Sequence, residues 1–125
     1  MSYPRVAKET VALKGKEITA YLIEFKNAVL GVFTEEEGSL GTLALALPAA
    51  QQQPNLGRST VLLGYKNSNI ARILAEYLAA KFGKISLASV FLRFDGDIEA
   101  GRVMMRIIQK VEEKDFKPLK GLFMA

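Results

Sequence analysis

The sequence predicts an α+β domain: a mostly antiparallel sheet of about six strands with two main helices. Three observations predict it. From Glu9 to Leu47, apolar runs are broken by short polar turns, the pattern of a β-meander. Thr60 to Phe94 reads strand, helix, strand, and is the expected core. A second amphipathic helix begins at Ile98.

Residues 1–7 are expected to be a loose end. Glu9 to Leu13 predicts a first strand, and Lys14-Gly15-Lys16 the turn after it. Glu17 to Phe25 predicts a second strand. Ile18, Ala20 and Leu22 lie on one side of it, and Thr19, Tyr21, Ile23 and Phe25 on the other. Both sides are apolar, which predicts cover on both faces. Lys26-Asn27 makes the next turn, since Asn tolerates positive φ. Ala28 to Thr34 is a third strand, Glu35 to Ser39 a polar turn, and Leu40 to Leu47 a fourth strand. Consecutive hairpins pair these strands antiparallel.

Pro48 ends the fourth strand. Ala49 to Arg58 has no apolar period and reads as a loop. Thr60 to Gly64 is a short apolar run, as a buried strand would be. The helix Ile70 to Phe82 carries Ile70, Ile73, Leu74, Tyr77 and Leu78 as one stripe. Asn67 or Ser68 offers its N-cap, and Gly83 its stop. Ile85 to Phe94 is β-rich and reads as a central strand.

Asp97 caps the second helix, Ile98 to about Glu113, and Glu99 suits its positive end. Gly101, Met104, Met105, Ile108 and Val111 form one apolar stripe. Ala100, Val103 and Ile107 form another. One sheet face needs only one stripe. The second predicts contact with another helix of the chain or with another subunit, and its three residues are the candidate dimer interface. Residues 114–125 are expected to be a loose tail or a short docking segment.

The chain has 125 residues, enough for a single domain with its own core. It has no Cys and no His, which removes disulfides and Ser–His or Cys–His catalysis. No apolar run approaches the roughly 20 residues of a membrane span, and Met1 to Lys8 lacks the apolar centre of a secretory signal. A cytoplasmic protein without membrane attachment is the expectation. The net charge of +4 raises the possibility of nucleic acid. Residues 1–58 carry 6 basic and 6 acidic side chains, 59–113 carry 8 and 6, and 114–125 carry 3 and 1. Such interleaving argues against a phosphate-binding face.

Asp95 and Asp97 are a close carboxylate pair that could hold Mg²⁺, or simply a turn residue and a cap. Gly64, Lys66 and Asn67 sit where a strand meets a helix, but lack the second Gly and the Lys-Ser/Thr of a phosphate loop. No metal, cofactor or catalytic set is expected. The polar loop offers Gln51, Gln52, Gln53, Asn55 and Arg58 for a protein partner, and Glu35, Glu36 and Glu37 flank it as an acidic turn. A solvated connector is the plainer reading of the same residues.

The run Gly38-Ser39-Leu40-Gly41-Thr42-Leu43, then Pro48, the polar loop and Thr60-Val61-Leu62-Leu63-Gly64, resembles the proteasome assembly chaperone 3 family. The order of elements matches from about Glu17 to Glu113. The resemblance implies an α+β fold with an antiparallel sheet and no enzymatic activity. It implies a dimer that binds α subunits of the 20S proteasome and assists α-ring assembly. A homodimer is the simplest form, with a second related chaperone as the other. The alternative from composition is a small basic nucleic-acid-binding protein, and behind it a phosphate-dependent enzyme using Asp95, Asp97 and Lys66.

Overall fold

The structure is a computed structural model and describes residues 3–35, 38–49 and 58–119. In chain order the elements are β1 (Arg5–Leu13), β2 (Lys16–Glu24), β3 (Ala28–Thr34), β4 (Thr42–Leu47), β5 (Arg58–Leu63), α1 (Ser68–Phe82), β6 (Ile85–Phe91), α2 (Ile98–Lys110), a 3-10 turn (Glu113–Asp115) and β7 (Lys117–Pro118). The strands form one sheet in the order β5-β4-β6-β3-β2-β1-β7. All neighbours pair antiparallel except β3 and β6. The α+β class and the mostly antiparallel sheet are as the sequence predicts.

The meander stops at β3. β4 does not pair with β3, because β6 lies between them, parallel to β3 and antiparallel to β4. The link after β3 is longer than a tight hairpin, so β4 can step over by one strand width. β6 fills the gap with small side chains. Its Ser86, Ala88 and Val90 stand beside Ala46, Ala44 and Thr42 of β4. The expected central strand is therefore central.

Both helices lie on one face of the sheet. α1 buries Ile70, Ala71, Leu74, Ala75, Leu78 and Ala79. Its floor is made of small residues, Ala44, Ala46, Ala88 and Gly31, so the helix comes close. A Cβ on Gly31 would meet Leu78 Cδ1 at 2.7 Å. Ile73, read as part of the buried stripe, is exposed instead. Gly83 ends α1 in the left-handed region, as expected. Asn67 does not cap it. Its Oδ1 accepts from Gly96 N at 2.6 Å and its Nδ2 donates to Phe94 O at 3.2 Å, which ties α1 to the segment before α2.

α2 lies against α1 and over β1, and buries Ala100, Met104, Ile107 and Ile108. Asp97 caps it by accepting from Ala100 N at 3.0 Å. It stops at Lys110, three residues earlier than expected. Lys81 of α1 donates to the carbonyls of Ile108, Gln109 and Val111, which terminates it with a cation.

The ends are less loose than the sequence suggests. Arg5, Val6 and Ala7 are buried in β1. Arg5 can be buried because Glu24 and Glu113 both neutralise it, and Lys84 shares Glu24 at 2.7 Å. β7 then adds to the outside of β1 at Arg5 and Val6. β5 is an edge strand rather than a buried one, and Leu63 is 66% exposed.

The two glycine-bearing motifs have structural work at the β4–β5–β6 end. A Cβ on Gly41 would lie 2.0 Å from the Val90 carbonyl oxygen, and the Gly41 N–H donates to Ser89 Oγ at 2.9 Å. Gly64 turns β5 away with φ +83, against Thr42. Gly41→Ala is expected to cost about 3 kcal/mol or more, because backbone rather than a flexible side chain blocks the methyl group. Thermal denaturation checks this, and an unchanged Tm would contradict it.

Two ion pairs pin the start of α2 and the turn that follows it along β1. Lys14, after β1, meets Asp97 at 2.5 Å, and Arg5, at its start, meets Glu113. The Lys14 ammonium holds the Asp97 carboxyl below its usual range, and the Arg5 guanidinium does the same to Glu113. Folded pKa values below the unfolded ones contribute stability above the ordinary carboxylate range, and this is lost as pH falls through the lowered values. Tm should therefore fall on acidification below about pH 4, and fall less in Lys14→Met. A Tm that is flat from about pH 5 to about pH 2 would contradict it.

Candidate functional site

The structure separates the residues the sequence singled out. Gln51, Gln52, Gln53, Asn55, Glu36 and Glu37 lie outside the described residues. Arg58 opens β5 and is exposed. The Glu35 side chain is only 10% exposed. It faces Lys16 at 3.7 Å and Arg93 at 3.9 Å, and accepts from Arg93 N at 3.4 Å. It closes the end of the sheet rather than projecting from it.

The three candidate interface residues of α2 are largely used within the chain. Ala100 is 0% exposed and Ile107 6%, because α2 sits in the angle between α1 and the β1–β2 hairpin. Val103 is half-buried and lines a groove beside β1. Of the two readings of this second stripe, contact inside the monomer accounts for Ala100 and Ile107. Asp97 is taken up by its cap and by Lys14, and no cluster of metal-ligating side chains occurs among the described residues. No described helix is long and apolar enough to cross a membrane.

What the sequence reading missed is the other face of the sheet. Side chains alternate along a strand, so register assigns each one to a face. The face away from the helices carries a straight row, Leu45, Leu87, Leu30, Ile23 and Val6, across five adjacent strands. A second row runs Leu63, Leu43, Ser89, Val32 and Tyr21. Leu47 and Ile85, at one end, are 44% and 45% exposed. β4, β6 and β3 contribute no charge to this face. Its charges stand at the margins, on Arg58, Lys8 and Glu17. None of the described helices packs here. The signal lies in β2, both of whose sides are apolar, a pattern that predicts cover on both faces. One side is covered by helices; on the other, among the described residues, Leu45, Leu87, Leu30, Ile23, Leu43 and Tyr21 are half-buried, while Val6, Val32 and Ser89 are buried between their neighbours.

A sheet face of this kind is unusual in a monomer. Five strands at about 4.8 Å and six residues at about 3.3 Å span a footprint on the order of 500 Å². That is as large as the largest apolar patch of a typical monomer, about 300–600 Å². It approaches the roughly 800 Å² that each partner gives to a stable interface. The face is chemically suited to apolar, shape-dependent contact with another protein surface.

No protein-family model matches the chain, and no curated protein matches it. Among solved structures, the chain is similar to one chain of a novel chaperone complex for yeast 20S proteasome assembly. The TM-score is 0.54 at 13% identity, and the match covers 83% of this chain and 87% of that one. At that identity the likeness is one of fold.

Proposed function

We propose that this chain is a non-catalytic, cytoplasmic chaperone that binds α subunits of the 20S proteasome and assists α-ring assembly as a homodimer. One observation carries the reading: the fold likeness to a chain of the yeast assembly chaperone complex extends over nearly the whole of both chains. The absence of His and Cys from the sequence fits a binding role.

The bare sheet face supports the dimer. A second copy is the occupant that fits it, because an uncharged apolar surface is complementary to itself about a two-fold axis. This moves the dimer contact from Ala100, Val103 and Ile107 to the row through Leu45, Leu87 and Leu30. The α-subunit contact is assigned to the segment Ala49 to Arg58, whose last residue is exposed at the start of β5. A second, related chaperone chain is the alternative occupant of the sheet face.

The test uses capture by isolated 20S α subunits, beside duplex DNA at physiological salt. The chain should bind the α subunits, and DNA weakly if at all. Replacing residues 51–56 by a Gly-Ser linker should weaken capture and leave Tm nearly unchanged. Leu87→Glu should turn the dimer into a folded monomer in light scattering, because a carboxylate in the face-to-face contact costs several kcal/mol. Tight DNA binding without α-subunit capture would overturn the chaperone reading in favour of nucleic acid. A monomeric unmodified chain would overturn the dimer.

A further inference from the structure

A different surface lies at the opposite edge of the sheet. β1 spans Arg5–Leu13, but β7 covers it only at Arg5 and Val6. The two-residue turn Lys14-Gly15 makes Leu13 and Lys16 a hydrogen-bonded pair, so odd-numbered residues of β1 bond to β2. Even-numbered residues point their N–H and C=O groups outward. Leu119 N donating to Pro4 O at 3.0 Å agrees with this parity. The outward main-chain groups of Lys8, Thr10 and Ala12 have no strand beside them among the described residues.

A groove of about 310 Å³ runs between this edge and α2. Its floor includes Ala7, Val11 and Leu22, and its wall Val103 and Ile107. Lys8 and Ala12 also line it, although register sends their side chains to the other face, so they offer main chain. The ion pairs Lys14–Asp97 and Arg5–Glu113 hold the start of α2 and the turn that follows it alongside β1, so groove and edge run together.

The rim is basic. Arg102, Arg106 and Lys110 recur every fourth residue on one flank of α2, and the last two line the groove. Among the described residues none of the three has a hydrogen-bond or ion-pair partner. Like charges at this spacing repel, and an anionic ligand would relieve them. Glu9 and Asp115 are the acids nearby, and Asp115 is already engaged with Glu112 N.

We propose that the β1 edge from Lys8 to Ala12, with the groove under α2, binds an extended acidic peptide segment of a partner protein. The segment adds to the sheet as a strand. Its main chain bonds Lys8, Thr10 and Ala12, and every second side chain points to the helix side, where apolar ones enter the groove and carboxylates meet Arg106 and Lys110. The chain's own β7 already adds to this edge in the same way. Stacking of two sheets face to face leaves the edge open, so the site stands independently of the dimer and of the proteasome reading.

The probe is an end-blocked peptide about six residues long, the length of an ordinary strand, with valine and glutamates at every second position and threonine between them, so that both kinds of side chain face α2. Added to the full chain, it should slow amide exchange at Lys8, Thr10 and Ala12. Its affinity, read by fluorescence anisotropy, should fall at least about tenfold in Thr10→Pro, in Arg106→Glu with Lys110→Glu, and when lysine replaces glutamate in the peptide. Thr10→Pro removes an outward donor and spares the β1–β2 ladder, a position where an edge strand tolerates proline. The α2 double variant changes only exposed side chains, so it decides the matter even if the proline variant fails to fold. Unchanged exchange at the three amides would overturn the proposal, as would equal affinity for the α2 variant. Protection of the same amides without peptide, growing with protein concentration, would assign the edge to a second copy and also overturn it.

Discussion

The close seating of α1 on a floor of small residues sets the rest of the structure. Ala44, Ala46, Ala88 and Gly31 leave room for Leu74 and Leu78 to reach the sheet. Each of these leucines, fully buried, contributes about 2 kcal/mol. The seat exists only if β4, β6 and β3 lie side by side, because each supplies part of it. The helix therefore fixes the strand order. It also fixes the side of the sheet on which α2 must lie, since α2 is tied to α1 through Asn67, Lys81 and their shared core.

One-sided cover has a chemical consequence. β4, and β6 from Ser86 to Ala88, alternate small residues toward the helices with large ones away from them. Leu43, Leu45 and Leu47 oppose Thr42, Ala44 and Ala46, and Leu87 opposes Ser86 and Ala88. The larger apolar side chains of β4 thus face outward. A sheet must bury such a face against another layer. Among the described residues no helix covers it, and the proposed dimer supplies the second layer. The proposed chaperone role fits this arrangement, because the helices, the loops and the β1 edge stay free when two sheets stack.

Local pattern made much of the fold legible. β2, β3, α1, β6 and α2 fall near their expected places, and Gly83 and Asp97 act as the caps their chemistry suggests. Strand order was not legible, because hairpin logic assumes that consecutive strands pair, and nothing local marks β6 as the strand that enters between β3 and β4. The start of β1 was hidden by Arg5, whose charge reads as solvent until Glu24 and Glu113 are found beside it. β7 is too short to carry a pattern. Ala100 and Ile107 were placed on the right stripe, but periodicity cannot say whether a second stripe meets a neighbour within the chain or beyond it. The bare sheet face was visible as the second apolar side of β2, and its meaning depended on a topology that the pattern did not reveal.

The central claim is that the sheet face opposite the helices meets the same face of another copy. Isotope-filtered NOE spectra of a dimer mixed from labelled and unlabelled chains test it directly, because only contacts between copies give cross-peaks. Cross-peaks are expected from the methyl groups of Leu45, Leu87, Leu30 and Ile23, and none from Met104 or Ile108 under α2. Cross-peaks confined to Val103 and its neighbours on α2, or none at all, would contradict it.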